Sequence, residues 1–244
     1  MRSGINSAIK GFVRRGFRPD RANPYAGDAS YLIAIRPAVS DSVTITSGRV
    51  SAIANRGSGG ATYNFAQSAS ADRPTLGAMT DGTPALVFTA TNEWLDCNAF
   101  GAAFNDPAVA AWQIDMVIET STIASAQCLA VWSTSGSNNG YQLIGTDGTG
   151  DLRIIRRHTS GSPQISTDSE TKLTTGTTTV LSMVFQNSEV DAYLNGEVTY
   201  NAANYVSTSG TISGNKFAIG ARNTPSIGLG WVGHIAFFGV KAWA

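Results

Sequence analysis

Charged residues are scarce in this chain of 244 residues, making up 14% of it where about a quarter is usual. Lysine plus arginine number 17 and aspartate plus glutamate 17, so the net charge at pH 7 is zero. The surface must therefore consist largely of Ser, Thr, Asn and Gly. Such a surface favours contact with other proteins, or hydrogen bonding to sugars, over the electrostatic steering of a charged ligand.

Cysteine and long apolar runs are also lacking. Cys97 and Cys128 are the only cysteines, and they lie far apart in no metal-binding spacing, which predicts two buried small side chains rather than a disulfide. No run of about 18 apolar residues occurs, and the N-terminus has no apolar stretch of the secretory type. These absences predict a soluble product made in a cytoplasm, with no membrane partner.

Catalytic motifs are missing as well. Only His158 and His234 are present, and no G-x-S-x-G occurs, so a serine triad has little support. Glu189 and Asp191 begin the E-x-D-x-x-E pattern of some glycoside hydrolases, but Leu194 stands where the third carboxylate belongs. We therefore expect no enzyme activity and no cofactor, a loop position for His158 and a structural role for His234.

Two aspartates leave one question about metals open. Asp147 and Asp151 flank a loop that either contributes to a Ca²⁺ site, as in some lectin-like proteins, or forms an ordinary Asp-Gly turn. The further ligands of an EF-hand are absent, which favours the turn. No metal site is predicted.

The N-terminal arm, residues 1–27, differs from the rest of the chain. Its first 21 residues hold six basic side chains against the single carboxylate of Asp20. Apolar residues at helical spacing predict a short amphipathic helix, with basic residues on its other faces. The side chains predicted to bind a partner are Ile5, Ile9, Phe12, Val13, Arg14, Arg15, Phe17 and Arg18.

This arm allows three interpretations. A helix so short is marginal in water unless something covers its apolar stripe. It is therefore a peptide that docks on another protein, a helix packed back on its own domain, or, with least support, a membrane-surface or transit-like helix.

The remainder, residues 28–244, alternates short apolar or β-branched runs with turn-forming clusters, which predicts one all-β domain of more than ten strands. Asn195 and Gly196 between two alternating runs predict a tight hairpin. Residues 112–119 predict one strand with two different faces. The face expected toward the core consists of Trp112, Ile114, Met116 and Ile118. The face expected toward water consists of Gln113, Asp115, Val117 and Glu119.

Three segments of the C-terminal half, residues 192–196, 217–220 and 231–235, resemble the closing strands of laminin-G-like, concanavalin A-like jelly rolls. The resemblance covers roughly residues 110–240. It implies a two-sheet antiparallel jelly-roll sandwich, preceded here by the short helical or extended arm.

Upstream, residues 50–60, 73–75 and 82–88 resemble a segment that precedes such modules in structural proteins of tailed bacteriophages. Ile53 and Ala54 depart from it, because a tryptophan is usual there. The resemblance implies a virion structural protein, either an outer capsid decoration or a head-attached protein, anchored at the particle surface by its arm. Its partners would be the major capsid protein, other virion proteins or further copies of itself, and not nucleic acid.

An alternative function is a carbohydrate-binding module that recognises host surface glycans. Sugars stack on exposed aromatic rings, and Trp132 beside a polar loop is the expected exposed tryptophan. Asn138, Asn139 and Tyr141 complete the predicted glycan site.

Overall fold

The computed structural model describes residues 30–103, 112–133, 141–157, 164–186, 189–204, 216–221 and 229–242. Within these ranges the regular secondary structure is almost entirely β-strand. The strands, in chain order, are β1 (Ile33–Ile35), β2 (Val43–Thr46), β3 (Arg49–Ile53), β4 (Phe65–Ala66), β5 (Thr75–Ala78), β6 (Pro84–Phe88), β7 (Leu95–Asp96), β8 (Trp112–Thr120), β9 (Gln127–Ser133), β10 (Tyr141–Thr146), β11 (Asp151–Arg157), β12 (Gln164–Lys172), β13 (Thr178–Gln186), β14 (Glu189–Leu194), β15 (Glu197–Asn204), β16 (Lys216–Ile219) and β17 (Gly233–Ala242).

Helices contribute little to the described part of the chain. The described ranges hold one α-helix, α1 (Asn98–Ala103), and three short 3₁₀ helices at Ser40–Ser42, Gly60–Tyr63 and Ser70–Asp72. None of the described helices is both long and apolar enough to cross a membrane. The N-terminal arm lies outside the described residues.

The strands form two antiparallel sheets. Sheet A has the order β15-β14-β13-β8-β17-β6-β5, and β1 pairs with β17 beyond the end of β6. Sheet B has the order β12-β11-β10-β9-β16-β7-β4-β3-β2. In both sheets consecutive strands are joined through central neighbours that are distant in sequence, such as β8 with β17 in sheet A and β9 with β16 in sheet B, as in a jelly roll. The predicted all-β, two-sheet sandwich is confirmed.

Phenylalanine rings join the two sheets at the centre of the core. Phe217 of β16 lies 4.9 Å from the ring of Phe100 in α1, and 5.6 Å from that of Phe238 in β17. Phe65 of β4 contacts both Phe217 and Phe238. Edge-to-face packing of aromatic rings adds stability beyond that gained from burying their apolar surface.

The hairpin between β14 and β15 has the predicted turn. Asn195 and Gly196 both have positive φ angles, 51° and 84°, as a type I′ turn requires. The Asn195 amide also accepts a hydrogen bond from the backbone N–H of Val180 on the neighbouring strand.

Strand β8 differs from its prediction on one face. Trp112, Ile114, Met116 and Ile118 lie in the core as expected, but every other residue of the strand is buried too. Polar partners make this burial tolerable: Asp115 accepts hydrogen bonds from the Tyr31 hydroxyl (2.6 Å) and from Gln113 Nε2. The expectation of a water-facing side was therefore wrong.

Candidate functional site

Trp94 lies on the outer face of sheet B, just before β7. Leu95 and Cys97 belong to the core between the sheets, so alternation places Trp94 and Asp96 on the opposite, outer side. Trp94 is half-buried. Its ring packs against an apolar platform made of Cys128, Val131, Ile155 and Ala218, beside the partly exposed Leu229.

Trp94 is the one described tryptophan that is not buried. The other described tryptophans are buried: Trp112 is 8% exposed, Trp132 2% and Trp231 0%. An indole held against an apolar platform, with part of its surface open, provides a place where a flat apolar ligand surface can stack.

Polar groups adjoin this platform. Ala218 of β16 pairs with Asp96 on one side and with Val131 on the other, so these residues lie side by side across three strands. Lys216, two residues before Ala218, pairs with Ser133. The site thus combines an aromatic surface with a carboxylate and an ammonium group, which suits hydrogen bonding to a ligand rich in hydroxyl groups.

Burial raises the pKa of the Asp96 carboxyl, and the charge of Lys216 partly opposes that effect. An aspartate whose pKa is higher in the fold than its ordinary 3.8 binds its proton more tightly when folded. Its ionised form therefore weakens the fold, and stability is lost as the pH rises from below 3.8 through the folded pKa.

Asp96→Asn is accordingly expected to raise the free energy of unfolding modestly at pH 7 and to change it little at pH 3. Urea denaturation of both proteins at the two pH values measures the difference. An equal effect at both pH values would contradict this account of Asp96.

Glu93 fixes the loop that carries Trp94. Its carboxylate is 1% exposed, accepts a hydrogen bond from Arg49 Nη1 of β3 at 2.6 Å, and accepts two more from the backbone N–H groups of Thr89 and Ala90. The backbone N–H of Trp94 donates to the carbonyl of Asp72 at 2.9 Å. Both ends of the 89–94 loop are therefore held.

Gly230 holds the middle of the same loop. A Cβ at this position would lie 2.1 Å from the carbonyl oxygen of Thr91, so only glycine permits the approach. Arg73, from the 73–75 segment of the bacteriophage resemblance, binds the carbonyls of Gln67 and Ser68 below the loop. Trp94 is thus presented by a loop that is organised before any ligand arrives.

Glu93→Gln is expected to destabilise the protein by about 1–3 kcal/mol, because the variant loses a buried acceptor bound by a charged donor. Chemical denaturation measures the loss. Asp41→Asn is the matched control, since the Asp41 carboxylate is 72% exposed and lies 3.7 Å from Arg56 in a surface ion pair, where little energy is at stake. Equal losses in the two variants would count against a clamp at Glu93.

Of the residues predicted to bind glycan, only Trp132 has a described side chain. Trp132 is buried, so its expected exposure was wrong: alternation in β9 turns it into the core and turns Val131 to the outer face. Tyr141 pairs with Ser133 at the start of β10, but its side chain lies outside the described residues. Asn138 and Asn139 also lie outside them, as does every partner-binding residue of the arm.

The loop between Asp147 and Asp151 has the hydrogen bonds of a turn. Asp147 Oδ1 accepts from the backbone N–H and the hydroxyl of Thr149 and from the backbone N–H of Asp151. Lys172 lies 3.2 Å from the Asp151 carboxylate. In the described part of the chain, no three His, Cys, Asp or Glu side chains are grouped as metal ligands. The turn interpretation accounts for both aspartates.

The remaining sequence candidates are placed as follows. Cys97 and Cys128 are buried free thiols, as predicted. His234 on β17 lies with Nδ1 3.4 Å from Glu119 Oε1, and the Thr80 hydroxyl donates to the same oxygen at 2.9 Å. His158 and the side chain of Glu189 lie outside the described residues.

No family model and no curated protein matches the sequence. Solved structures do match. A mutant of the NanB sialidase from Streptococcus pneumoniae is similar at 17% identity with a TM-score of 0.54, over 70% of this chain and 27% of that one. The chain therefore spans about a quarter of the length of that protein.

Two further structures are similar at lower TM-scores. Domain 4 of AbnA, an extracellular arabinanase from Geobacillus stearothermophilus in complex with arabinotriose, has 15% identity and a TM-score of 0.48 over 70% of this chain and 77% of that one. The CBM40 of the Ruminococcus gnavus IT-sialidase, bound to α2,3-sialyllactose, has 13% identity and a TM-score of 0.47 over 57% and 80%. At 17% identity the likeness to the NanB sialidase structure shows the fold alone, and the fold of this chain is a two-sheet antiparallel jelly-roll sandwich.

Proposed function

We propose that this chain is a carbohydrate-binding module whose ligand stacks on Trp94 at the outer face of sheet B. The observation that carries the proposal is the half-buried indole of Trp94, seated on an apolar platform beside Asp96 and Lys216. Stacking on an aromatic ring together with a few hydrogen-bonding groups is the usual composition of a small-molecule site.

The surrounding chemistry favours a glycan over a strongly charged ligand. Only 14% of the residues are charged. Beside the platform, the positive charge of Lys216 interacts with the negative charge of Asp96. A ligand with many hydroxyl groups and little net charge meets both an acceptor and a donor there without leaving either charge unpaired.

A glycan array probed with the full chain tests the proposal, followed by titration calorimetry on the glycans retained. Binding of at least one class of polysaccharide or oligosaccharide is expected. The glycan is expected to be recovered intact, since the proposal includes no catalysis. Failure to retain any glycan on a broad array overturns the proposal.

The virion role implied by the bacteriophage resemblance stays a prediction, because none of the comparisons bears on it. It is compatible with glycan binding, since a particle-surface protein can carry a module that recognises the host. Mass spectrometry of purified particles tests that role separately from the glycan array.

A further inference from the structure

One row of residues, the outer row, crosses four neighbouring strands of sheet B and begins two positions after Trp94. Asp96 of β7 pairs with Ala66 of β4. Ala66 pairs in turn with Ala52 of β3, and Ala52 with Thr44 of β2. Because neighbouring strands lie about 4.8 Å apart, the outer row extends about 14 Å from its first residue to its last. In the described strand order β2 ends sheet B on this side, so the row runs to an edge of the sheet.

The outer row faces away from the core and is open to solvent. Phe65 and Ile53 are the chain neighbours of the two alanines and belong to the core, so alternation points Ala66 and Ala52 to the opposite side. Ala66 and Thr44 are exposed, and Ala52 is partly exposed. A methyl group rises little above the backbone of a sheet. The outer row is therefore a low, accessible surface next to the ring on which the ligand is proposed to stack.

Polar side chains border the outer row on both sides. Arg73 donates hydrogen bonds to the carbonyls of Gln67 and Ser68, the two residues that follow β4. Because β4 runs antiparallel to β7, these residues lie on the same side of the row as Trp94. Asn98 lies two positions beyond β7, on the other side of the row, and is exposed. An amide and a guanidinium both form hydrogen bonds with hydroxyl groups.

The shape of the outer row favours a chain of sugars over a single sugar. A site for one small ligand encloses that ligand and buries most of its surface. The outer row instead leads away from Trp94 and meets the edge of the sheet at Thr44, where a longer ligand can continue into solvent. Its alanines and threonine carry no charge, which favours a chain of uncharged sugars.

We propose that Trp94 and the outer row together bind several consecutive sugars of an uncharged polysaccharide, which lies across β7, β4, β3 and β2. One sugar stacks on Trp94, and the following sugars lie over Ala66 and Ala52. Arg73 and Asn98 supply hydrogen-bonding groups on either side of the chain. This inference rests on the proposed glycan binding and adds the length and direction of the ligand.

The length of the ligand tests the proposal. Titration calorimetry compares the full chain's affinity for the disaccharide, tetrasaccharide and hexasaccharide of a polysaccharide retained on the array. The affinity is expected to rise at least about tenfold from the shortest to the longest, because each further sugar adds contacts along the outer row. Equal affinities, with binding still lost in Trp94→Ala, would overturn the chain proposal and leave glycan binding in place. Retention of no glycan at all would overturn both.

A variant in the outer row gives a second readout. Ala66→Ile places a branched side chain in the path of the ligand, so it is expected to weaken hexasaccharide binding at least about tenfold and to leave disaccharide binding nearly unchanged. Ala78→Ile is the matched control, since Ala78 is an exposed alanine on β5 of sheet A, and it should bind both ligands like the wild type. Unchanged melting temperatures show that both variants fold. Equal loss of both ligands in Ala66→Ile, or no loss of either, contradicts a chain that lies over Ala66.

Discussion

Trp94→Ala is expected to weaken glycan binding by at least about thirtyfold, which corresponds to the roughly 2 kcal/mol typical of a tryptophan at the centre of a binding site. The reason is local. Trp94 is the one described tryptophan whose side chain is held by the fold and partly exposed to solvent, so its removal takes away the stacking surface while the platform beneath it stays. Titration calorimetry against a glycan identified on the array measures the change.

Two companion variants make this result specific. Leu76→Ala removes an apolar side chain that is 39% exposed on β5 of the other sheet, and it should leave the affinity unchanged. Trp94→Phe keeps a smaller aromatic surface and should fall between wild type and Trp94→Ala. Unchanged affinity in Trp94→Ala would place the ligand elsewhere on the domain.

Phe217→Ala is expected to destabilise the domain by about 3–5 kcal/mol, the usual cost of removing a buried phenylalanine from a close-packed core. Phe217 contacts aromatic rings from α1, β4 and β17, so the cavity would open where the two sheets meet. For a domain of this size the melting temperature should fall by roughly 6 to 20 °C.

Ile45→Ala is the control for that measurement, because the Ile45 side chain is largely exposed and surface truncations usually change stability by less than about 0.5 kcal/mol. Thermal and urea denaturation of both variants should agree. A loss below about 1 kcal/mol in Phe217→Ala would mean that the aromatic cluster is not the centre of the core.

Alternation along single strands was enough to predict the fold class and many of the strands. The β14–β15 hairpin is predictable because its turn needs two residues that tolerate positive φ, and Asn195-Gly196 supplies them. Three strands and α1 carry no such signal. Strand β12 has the polar sequence QISTDSETK, β5 is only four residues long and β4 only two, so none shows a recognisable apolar period. The six residues of α1 are too few for a helical one.

The outer face of β8 could not be predicted from local sequence. Gln113 and Asp115 look solvent-facing because they are polar and alternate with core residues. Their burial depends on Tyr31 and Ser182, which lie 84 and 67 positions from Asp115 in the sequence. Only the folded arrangement of three strands brings these partners together.

The tryptophan chosen from the sequence for the candidate site is buried in the structure. An exposed tryptophan on a jelly roll was expected, and Trp132 was chosen for its polar neighbouring loop. The alternation of Leu95 and Cys97 with Trp94 and Asp96 indicates that Trp94 faces outward, but a strand as short as β7 gives that signal little weight. The platform under Trp94 comes from β9, β11 and β16, which no local pattern connects.

The most direct test of ligand stacking on Trp94 is to observe the indole N–H signals of the full chain by NMR while a retained glycan is titrated. The sequence contains five tryptophans, and substitution assigns their signals. We predict that the Trp94 signal shifts with the binding isotherm while the signals of the buried Trp112, Trp132 and Trp231 stay in place. A glycan that binds without moving the Trp94 signal would contradict the proposed site.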